Sequence, residues 1–170
     1  RLQTDRLSCF FNPGYGASLE ELDFLPGNKN LLCTLQRRKE EYHGILSRNG
    51  AGSGPSAALH RMLGVKTPGL EKRLWYDRQR RLSFLDRFFE KPVEEEDFLS
   101  GRYDDRGDFA DQSYGMTLEE ERGAQVAVFR RTARVALDRR PEVLALVKSA
   151  RFVREDTLRL EYRFRPAESK

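Results

Sequence analysis

Apolar and polar residues alternate with a period of two through the last third of the chain. The segment Thr157–Phe164 shows this best, because every second residue is apolar and the residues between them are charged or hydroxylated. The apolar row consists of Leu158, Leu160, Tyr162 and Phe164. Such alternation is typical of a β-strand with one buried face. The same pattern predicts further strands at Gln125–Arg130, Thr132–Leu137 and Glu142–Val153, with turns at Asp138–Pro141 and Arg154–Asp156.

The first 24 residues predict a β-hairpin. Arg6–Phe11 alternates as a strand with Leu7, Cys9 and Phe11 on one face, and Leu19–Phe24 returns with its apolar residues inward. Between them lies Asn12–Gly16, in which proline presets φ and glycine accepts a positive φ, as tight turns require. Short strands separated by turns predict an all-β fold, an antiparallel β-sandwich.

The middle of the chain has weaker patterns. Ser47–Ser56 is rich in glycine and serine, which predicts a flexible surface loop. It is not a phosphate-binding loop, because no Lys-Ser or Lys-Thr follows the glycines and no apolar strand precedes them. At most a few short helices are expected, around Arg37–Tyr42 and Ala57–Leu63. Since 170 residues is the length of one domain, we predict a single β-sandwich domain of residues 1–170.

The sequence predicts neither a nucleic-acid partner nor a membrane partner. The chain has 31 basic and 27 acidic residues, so its net charge of +4 is a small difference between large numbers. A nucleic-acid partner is not predicted, because such binding requires basic residues clustered on one face. A membrane partner is not predicted either, since no run approaches the ~20 apolar residues that cross a bilayer.

Cysteine and histidine are scarce. Cys9 and Cys33 are the two cysteines, and His43 and His60 are the two histidines. With no Cys-x-x-Cys pair, neither a metal site nor a cofactor is predicted. The two thiols are expected to remain reduced and partly buried, as is typical of a cytoplasmic protein.

The segment Leu74–Phe109 contains the candidate binding chemistry. Aromatic rings can cover the C–H face of a sugar while carboxylate and guanidinium groups bind its hydroxyls. This combination predicts a substrate-binding cluster of Trp75, Tyr76, Asp77, Arg81 and Asp86. The alternative is structural: apolar residues such as Phe84, Phe88 and Phe89 pack in the core, and the charges between them are solvated.

Several short motifs in and around this segment resemble one known family. They are Tyr76-Asp77, Arg81-Leu82-Ser83-Phe84 leading to Asp86, Glu96-Asp97-Phe98, Gly101-Arg102-Tyr103 and Gly107-Asp108-Phe109. Together they resemble the non-catalytic C-terminal domain of glycoside hydrolase family 57, which comprises α-amylases and 4-α-glucanotransferases acting on α-1,4-glucans. That family usually has histidine after the acid at Asp86, where this chain has Arg87.

The resemblance implies a fold, a partner and a function. It implies a galactose-mutarotase-like β-sandwich, complete or partial, that packs against a catalytic β/α barrel in the same enzyme or an adjacent chain. In the family, two carboxylates of that barrel act as nucleophile and acid/base with retention. No strand–helix alternation is present in this chain, so no catalytic residue is assigned. The parent enzyme would be a retaining α-amylase or 4-α-glucanotransferase, with α-glucan as a possible ligand.

Two questions about function stay open at this point. The first is whether the chain is an accessory domain or a stand-alone carbohydrate-binding or mutarotase-like module. The second is whether the aromatics of Leu74–Phe109, above all Trp75 and Phe88 or Phe89, form a docking surface. Independent catalysis by Asp77, Asp86 or Asp108 is not predicted, because neighbouring arginines lower the pKa of a carboxyl group and so oppose general-acid catalysis.

Overall fold

The computed structural model describes residues 1–32, 35–41, 43, 73–137 and 140–167. The chain folds into two compact units, and each unit is described by itself. Unit 1 comprises Arg1–Leu35, Arg81–Glu94 and Tyr103–Lys170, and unit 2 comprises Gln36–Arg80 and Glu95–Arg102. Unit 1 contains two four-stranded antiparallel sheets, which confirms the predicted all-β fold.

The first sheet is formed by the N-terminal 30 residues. Its strands, in spatial as well as chain order, are β1 (Leu2–Gln3), β2 (Leu7–Asn12), β3 (Ser18–Phe24) and β4 (Lys29–Asn30). Strands β2 and β3 pair antiparallel, so the predicted hairpin is confirmed. A short 3-10 helix at Leu25–Gly27 joins β3 to β4.

The turn between β2 and β3 depends on one glycine. Gly16 has a φ of +65°, a left-handed backbone conformation that glycine adopts without steric cost. A Cβ atom added to Gly16 would collide with the carbonyl oxygen of Ala110 and would lie 2.5 Å from the side chain of Leu85. Gly16 therefore allows the turn to approach two other segments of unit 1 closely.

The second sheet is a meander of four strands in chain order. They are β5 (Gly115–Glu121), β6 (Ala124–Leu137), β7 (Arg140–Arg154) and β8 (Thr157–Pro166). The predicted strands at Glu142–Val153 and Thr157–Phe164 are confirmed, as is the turn between them. The prediction of two separate strands at Gln125–Arg130 and Thr132–Leu137 is wrong, because β6 pairs with β7 without interruption from Val126 to Leu137.

The core of unit 1 lies between the two sheets. One buried cluster contains Cys9 and Leu19 from the first sheet together with Phe129 and Leu146 from the second. The rings of Phe11 and Phe129, one from each sheet, have centroids 5.2 Å apart. Because both sheets contribute their apolar faces to one core, unit 1 is a β-sandwich.

The helical predictions meet the structure only in part. Residues 35–41 form no helix, whereas Tyr42, the predicted helix at Ala57–Leu63 and the predicted loop at 47–56 lie outside the described residues. An unpredicted helix, α1 (Glu95–Ser100), belongs to unit 2 and begins with Glu95, Glu96 and Asp97. Acidic side chains in the first turn favour a helix by opposing its dipole. No helix in the described part of the chain is long and apolar enough to cross a bilayer.

Candidate functional site

The five predicted binding residues belong to different units. Trp75, Tyr76 and Asp77 lie in unit 2, whereas Arg81 and Asp86 lie in unit 1. The sugar contacts predicted for these residues stay predictions, but the structure gives the surroundings of each. Within the described residues, no group of three or more histidine, cysteine or acidic side chains is placed to hold a metal ion.

In unit 2, both carboxylate oxygens of Asp77 accept hydrogen bonds from Arg37. One carboxylate oxygen of Asp77, Oδ2, accepts the backbone N–H of Arg37 at 2.7 Å. The other, Oδ1, accepts Nη2 and Nε of the guanidinium at 2.6 and 3.0 Å. The same guanidinium donates to the carbonyl of Leu99, and the side chain of Asp77 is only 7% exposed. Both charges are therefore used to fix residues 37, 77 and 99 to one another, as charge-assisted hydrogen bonds do.

The two aromatic residues before Asp77 contact Arg37 and His43 of the same unit. The Arg37 guanidinium carbon lies 6.0 Å from the centre of the Trp75 ring. The Tyr76 hydroxyl lies 3.2 Å from Nδ1 of His43, and the two rings have centroids 5.6 Å apart. Trp75 and Tyr76 are half-buried, so each ring is supported on one side while part of its surface reaches solvent. This is the geometry in which a ring can stack on a sugar.

In unit 1, Asp86 belongs to a buried polar cluster that the sequence did not predict. The ammonium of Lys148 lies 2.8 Å from Oδ2 of Asp86, and the Tyr114 hydroxyl donates to the same oxygen at 2.6 Å. Lys148 also donates to the backbone carbonyls of Gly16 and Phe84, both at 2.6 Å. Its side chain is 0% exposed and that of Asp86 is 5% exposed. Asp86 thus has almost no solvent-facing surface to offer a ligand in this structure.

Burial sets the electrostatics of this cluster. It lowers the pKa of Lys148, while the charge of Asp86 opposes that effect. It raises the pKa of Tyr114 above the ordinary tyrosine value, and the hydrogen bond to Asp86 adds to the increase. The Lys148 nitrogen lies 4.3 Å from the Phe84 ring centre and 4.7 Å from the Tyr114 ring centre. Three acceptors and two ring faces thus replace the water that the ammonium loses.

A signal for Lys148 was present in the sequence. The inward row of β7 runs Leu144, Leu146, Lys148, Ala150 and Phe152, so one charge interrupts an otherwise apolar row. A charged residue in such a position has to find a buried partner. The sequence could therefore have predicted a buried ion pair, although not that Asp86 would be the partner.

The remaining predicted residues contact solvent to different extents. Arg81 is exposed, whereas Phe88 and Phe89 are half-buried like Trp75. Within Leu74–Phe109, the large apolar side chain that is exposed is Phe98. The aromatics predicted to form a docking surface are therefore mostly packed, and larger exposed apolar rows occur elsewhere in unit 1.

Two surface depressions of unit 1 contain none of the five predicted residues. One lies on the outer face of the second sheet, where Val126, Val128 and Val147 are bordered by charged side chains. The other lies where the ends of β1, β6 and β7 meet and is lined in part by Gln3, Thr4 and Phe152. The outer-face charges are already paired, as between Arg130 and Glu119 at 2.7 Å. These depressions show no arrangement of groups suited to catalysis.

Comparisons with known proteins identify one family, and its model covers the whole chain. Residues 1–170 match the family model described as "Alpha-amylase/4-alpha-glucanotransferase, C-terminal". Alpha-amylase 1 of Dictyoglomus thermophilum is 40% identical over 94 residues, which are 52% of this chain and 14% of that protein. The alpha-amylase of Pyrococcus furiosus is 28% identical over 117 residues, which are 69% of this chain and 18% of that protein.

A solved structure shares the fold. The crystal structure of 4-alpha-glucanotransferase from Thermococcus litoralis matches 96% of this chain and 22% of its own, with a TM-score of 0.71 at 22% identity. The chain thus spans between 14% and 22% of the length of these relatives. The resemblance carried by the motifs around Asp86 is confirmed, since the family model matches every residue. This chain belongs to the family of C-terminal domains of α-amylases and 4-α-glucanotransferases.

Proposed function

We propose that this chain is an accessory, non-catalytic β-sandwich domain of an α-1,4-glucan-processing enzyme of glycoside hydrolase family 57. In this proposal it packs against a catalytic β/α barrel of the same enzyme or an adjacent chain. The observation that carries the proposal is the family match over residues 1–170. The free, buried thiol of Cys9 supports a cytoplasmic location, where thiols stay reduced.

The state of the carboxylates supports a non-catalytic role. Asp77 is paired with Arg37, Asp86 with Lys148 and Asp108 with Arg131. A retaining glycosidase needs two carboxyl groups facing one substrate, and one of them must take up and release a proton. Each of the three carboxylates is instead engaged by a cation of its own unit. The chemistry is therefore assigned to the barrel.

The partner is tested by the coding DNA on either side of this chain. We expect a segment coding for a β/α barrel with two glycosidase carboxylates in the same reading frame or in an adjacent gene. Sequencing the flanking DNA is the measurement. If both flanks lack such a segment, the accessory role is overturned and the stand-alone carbohydrate-binding or mutarotase-like module takes its place.

We further propose that the half-buried rings of Trp75 and Tyr76 contact α-glucan, with Arg37 and Asp77 holding them in position. The support is the geometry of unit 2, in which the ion pair between Arg37 and Asp77 anchors the backbone next to both rings. Arg81 was part of the same prediction and remains a candidate for hydroxyl contacts. Asp86 was predicted to contact sugar as well, but its burial with Lys148 favours a structural role.

This glucan contact is tested through Trp75, the single tryptophan of the chain. Titration with maltoheptaose should shift its fluorescence with a millimolar to high-micromolar Kd, of order −4 to −6 kcal/mol. Asp77→Ala should weaken the response, because Arg37 loses its anchor. The matched control Asp104→Ala removes an exposed acid of unit 1 and should leave the response unchanged.

The same samples give the opposite result if the rings are structural. Blue emission from Trp75 that iodide cannot quench and maltoheptaose does not alter would contradict the glucan contact and leave the barrel as the sole sugar site. Chromatography of the incubated maltoheptaose should show the heptasaccharide alone, with no shorter or longer products. The reason is that Asp77, Asp86 and Asp108 are all paired with cations. New products would contradict the non-catalytic assignment independently of the fluorescence result.

A further inference from the structure

The hydroxyl of Tyr76 has one hydrogen-bond partner among the described residues, the imidazole of His43. The hydroxyl oxygen lies 3.2 Å from Nδ1 of His43, and the two rings have centroids 5.6 Å apart at an angle of 41°. A hydroxyl can donate one hydrogen and accept others, and an imidazole nitrogen can do either, depending on its tautomer. The direction of this hydrogen bond therefore follows from the tautomer of His43.

A backbone group determines that tautomer. The N–H of Glu40 donates to the same Nδ1 at 3.1 Å, and a backbone N–H can only donate. Nδ1 therefore carries no hydrogen in this hydrogen-bond network, and His43 is the neutral tautomer with its hydrogen on Nε2. Because Nδ1 is an acceptor, the Tyr76 hydroxyl has to be the donor in their contact.

The backbone also holds the imidazole in this orientation. The N–H of His43 donates to the carbonyl of Glu40 at 3.0 Å, so the two residues are joined by two hydrogen bonds. The His43 side chain binds the backbone N–H three positions earlier, as the last residue of a capping box does. These two bonds restrict rotation of the ring and keep Nδ1 directed at Tyr76.

A second attachment fixes the backbone beside Tyr76. The N–H of Asp77 donates to the carbonyl of Arg37 at 2.9 Å, and the N–H of Arg37 donates to Oδ2 of Asp77 at 2.7 Å. Arg37 and His43 belong to one stretch of unit 2. This stretch thus binds the main chain at Asp77 and the hydroxyl end of Tyr76, which fixes both the position of that oxygen and the direction of its hydrogen.

We propose that His43 is a positioning residue that makes the Tyr76 hydroxyl a hydrogen-bond acceptor towards glucan. The one hydrogen of this hydroxyl points to Nδ1, so the lone pairs of its oxygen are what it offers to a ligand. A hydroxyl group of the glucan would therefore donate to Tyr76, while the Trp75 ring covers a C–H face of the sugar. This inference rests on the proposed glucan contact and adds the direction of one of its hydrogen bonds.

Two substitutions of His43 test this role, because they place an acceptor at different ends of the ring. In His43→Asn the side-chain oxygen can occupy the place of Nδ1, so Tyr76 keeps its partner, whereas in His43→Gln the oxygen reaches the place of Nε2. In the Trp75 fluorescence titration with maltoheptaose, His43→Asn should keep the Kd within about twofold of the wild-type value. His43→Gln should weaken binding about fivefold, as expected for the loss of one neutral hydrogen bond.

Removal of the Tyr76 oxygen completes the set of variants. Tyr76→Phe keeps the ring and should also weaken binding about fivefold. Adding His43→Gln to it should cost no more, because both changes act through one hydroxyl. The matched control Tyr15→Phe removes the hydroxyl of a half-buried tyrosine of unit 1 and should leave the Kd unchanged. Thermal melting shows whether each variant remains folded.

The tautomer can be measured on the full chain without any substitution. A long-range proton–nitrogen NMR spectrum distinguishes a ring nitrogen that carries a hydrogen from one that does not. The chain has two histidines, so comparison with the His43→Asn spectrum identifies the signals of His43. In mildly alkaline buffer, where histidine is neutral, Nδ1 of His43 should be the nitrogen without a hydrogen, both with and without maltoheptaose.

The possible failures separate this inference from the proposed function. If maltoheptaose shifts Trp75 fluorescence with the same Kd in the wild type, His43→Gln and Tyr76→Phe, the glucan contact stands and the role of His43 is overturned. A hydrogen on Nδ1 of His43 would overturn it too, because Tyr76 would then accept from the imidazole. If maltoheptaose leaves the wild-type fluorescence unchanged, the glucan contact itself fails, and this inference fails with it.

Discussion

At the scale of single residues, the buried ammonium of Lys148 contacts three oxygen atoms from two other segments of unit 1. The two carbonyls that it binds belong to Gly16 and Phe84, and both residues have a left-handed backbone, with φ of +65° and 68°. Such a φ is unfavourable for phenylalanine and persists only where the surroundings hold it in place. The ammonium of Lys148, together with Asp86 and Tyr114, provides those surroundings.

Removing this ammonium should destabilise the sandwich strongly. Lys148→Met keeps the approximate length of the side chain but leaves the Asp86 carboxylate buried without its counter-charge. We expect a loss of about 3–5 kcal/mol of unfolding free energy, the typical cost of breaking a buried ion pair. Urea denaturation followed by circular dichroism measures it.

A double variant and an exposed pair serve as controls for this prediction. Adding Asp86→Asn to Lys148→Met removes the orphaned charge and should recover part of the loss, so the two effects should not add. Glu90→Gln breaks a solvent-accessible pair with Arg106 and should cost less than about 1 kcal/mol. A Lys148→Met protein as stable as the wild type would show that the cluster contributes nothing to stability.

The buried thiol of Cys9 predicts a loss of stability at alkaline pH. Burial raises its pKa from the ordinary 9.0 to about 11, so the folded state keeps the thiol protonated where the unfolded state releases the proton. The stabilisation is complete below pH 9 and is lost as the pH rises from 9 to 11. It amounts to about 3 kcal/mol, from 1.36 kcal/mol for each pH unit.

The comparison with Cys9→Ala isolates this effect. Tyr114 also disfavours the folded state above pH 10, because its pKa is raised, and the lowered pKa of Lys148 acts in the opposite direction. Both groups are present in both proteins, so they cancel in the difference. Denaturation under reducing conditions should show that the stability gap between the two proteins narrows from pH 8 to pH 11. A constant gap would contradict the prediction.

The site residues show what local sequence can and cannot predict. The acids Asp77 and Asp86 were chosen because they stand among aromatics and arginines, and both engage a cation in the structure. Their partners are 40 and 62 positions away, at Arg37 and Lys148. No local pattern connects positions so distant. The type of interaction could therefore be predicted, whereas the partners and the burial of Asp86 could not.

At the scale of elements, β6 is one continuous strand although two adjacent arginines interrupt its apolar–polar alternation. Arg130 and Arg131 are adjacent charges, and they lie where the two predicted strands Gln125–Arg130 and Thr132–Leu137 would have been joined. Arg130 points outward to Glu119 at 2.7 Å. Arg131 donates to the carbonyls of Asp108 and Ser113 at 2.7 and 2.9 Å, so its charge is satisfied at the margin of the core. Tertiary hydrogen bonds thus allow both arginines to remain in one strand.

No strand was predicted at β5, because its sequence lacks a clear alternating pattern. Its sequence ends in three glutamates, which have a low β-propensity, and all of its residues are exposed. It is a strand because every residue pairs with β6, and because Glu119 and Glu121 form ion pairs with Arg130 and Arg151. The well-alternating strand β8 was predicted to within two residues, because its own pattern already encodes one apolar face.

At the scale of the whole molecule, alternation and turn residues were sufficient to predict the sandwich of unit 1. They were not sufficient to predict that Gln36–Arg80 and Glu95–Arg102 form a second compact unit, because contacts between segments so far apart leave no periodic trace. The prediction of one domain over residues 1–170 stays a prediction. The family, by contrast, was identified from the spacing of a few motifs, since that spacing is more specific than any strand pattern.

The contact between Lys148 and Gly16 also has a consequence for the synthesis of this protein, because it cannot form until the later of the two residues has been made. These residues are 132 positions apart, so at 5–20 residues per second a ribosome needs roughly 7 to 26 s to go from one to the other. During that interval the second sheet, which covers the apolar face of the first hairpin in the folded protein, is not yet complete. The nascent chain therefore depends for those seconds on whatever in the cell shields exposed apolar strands.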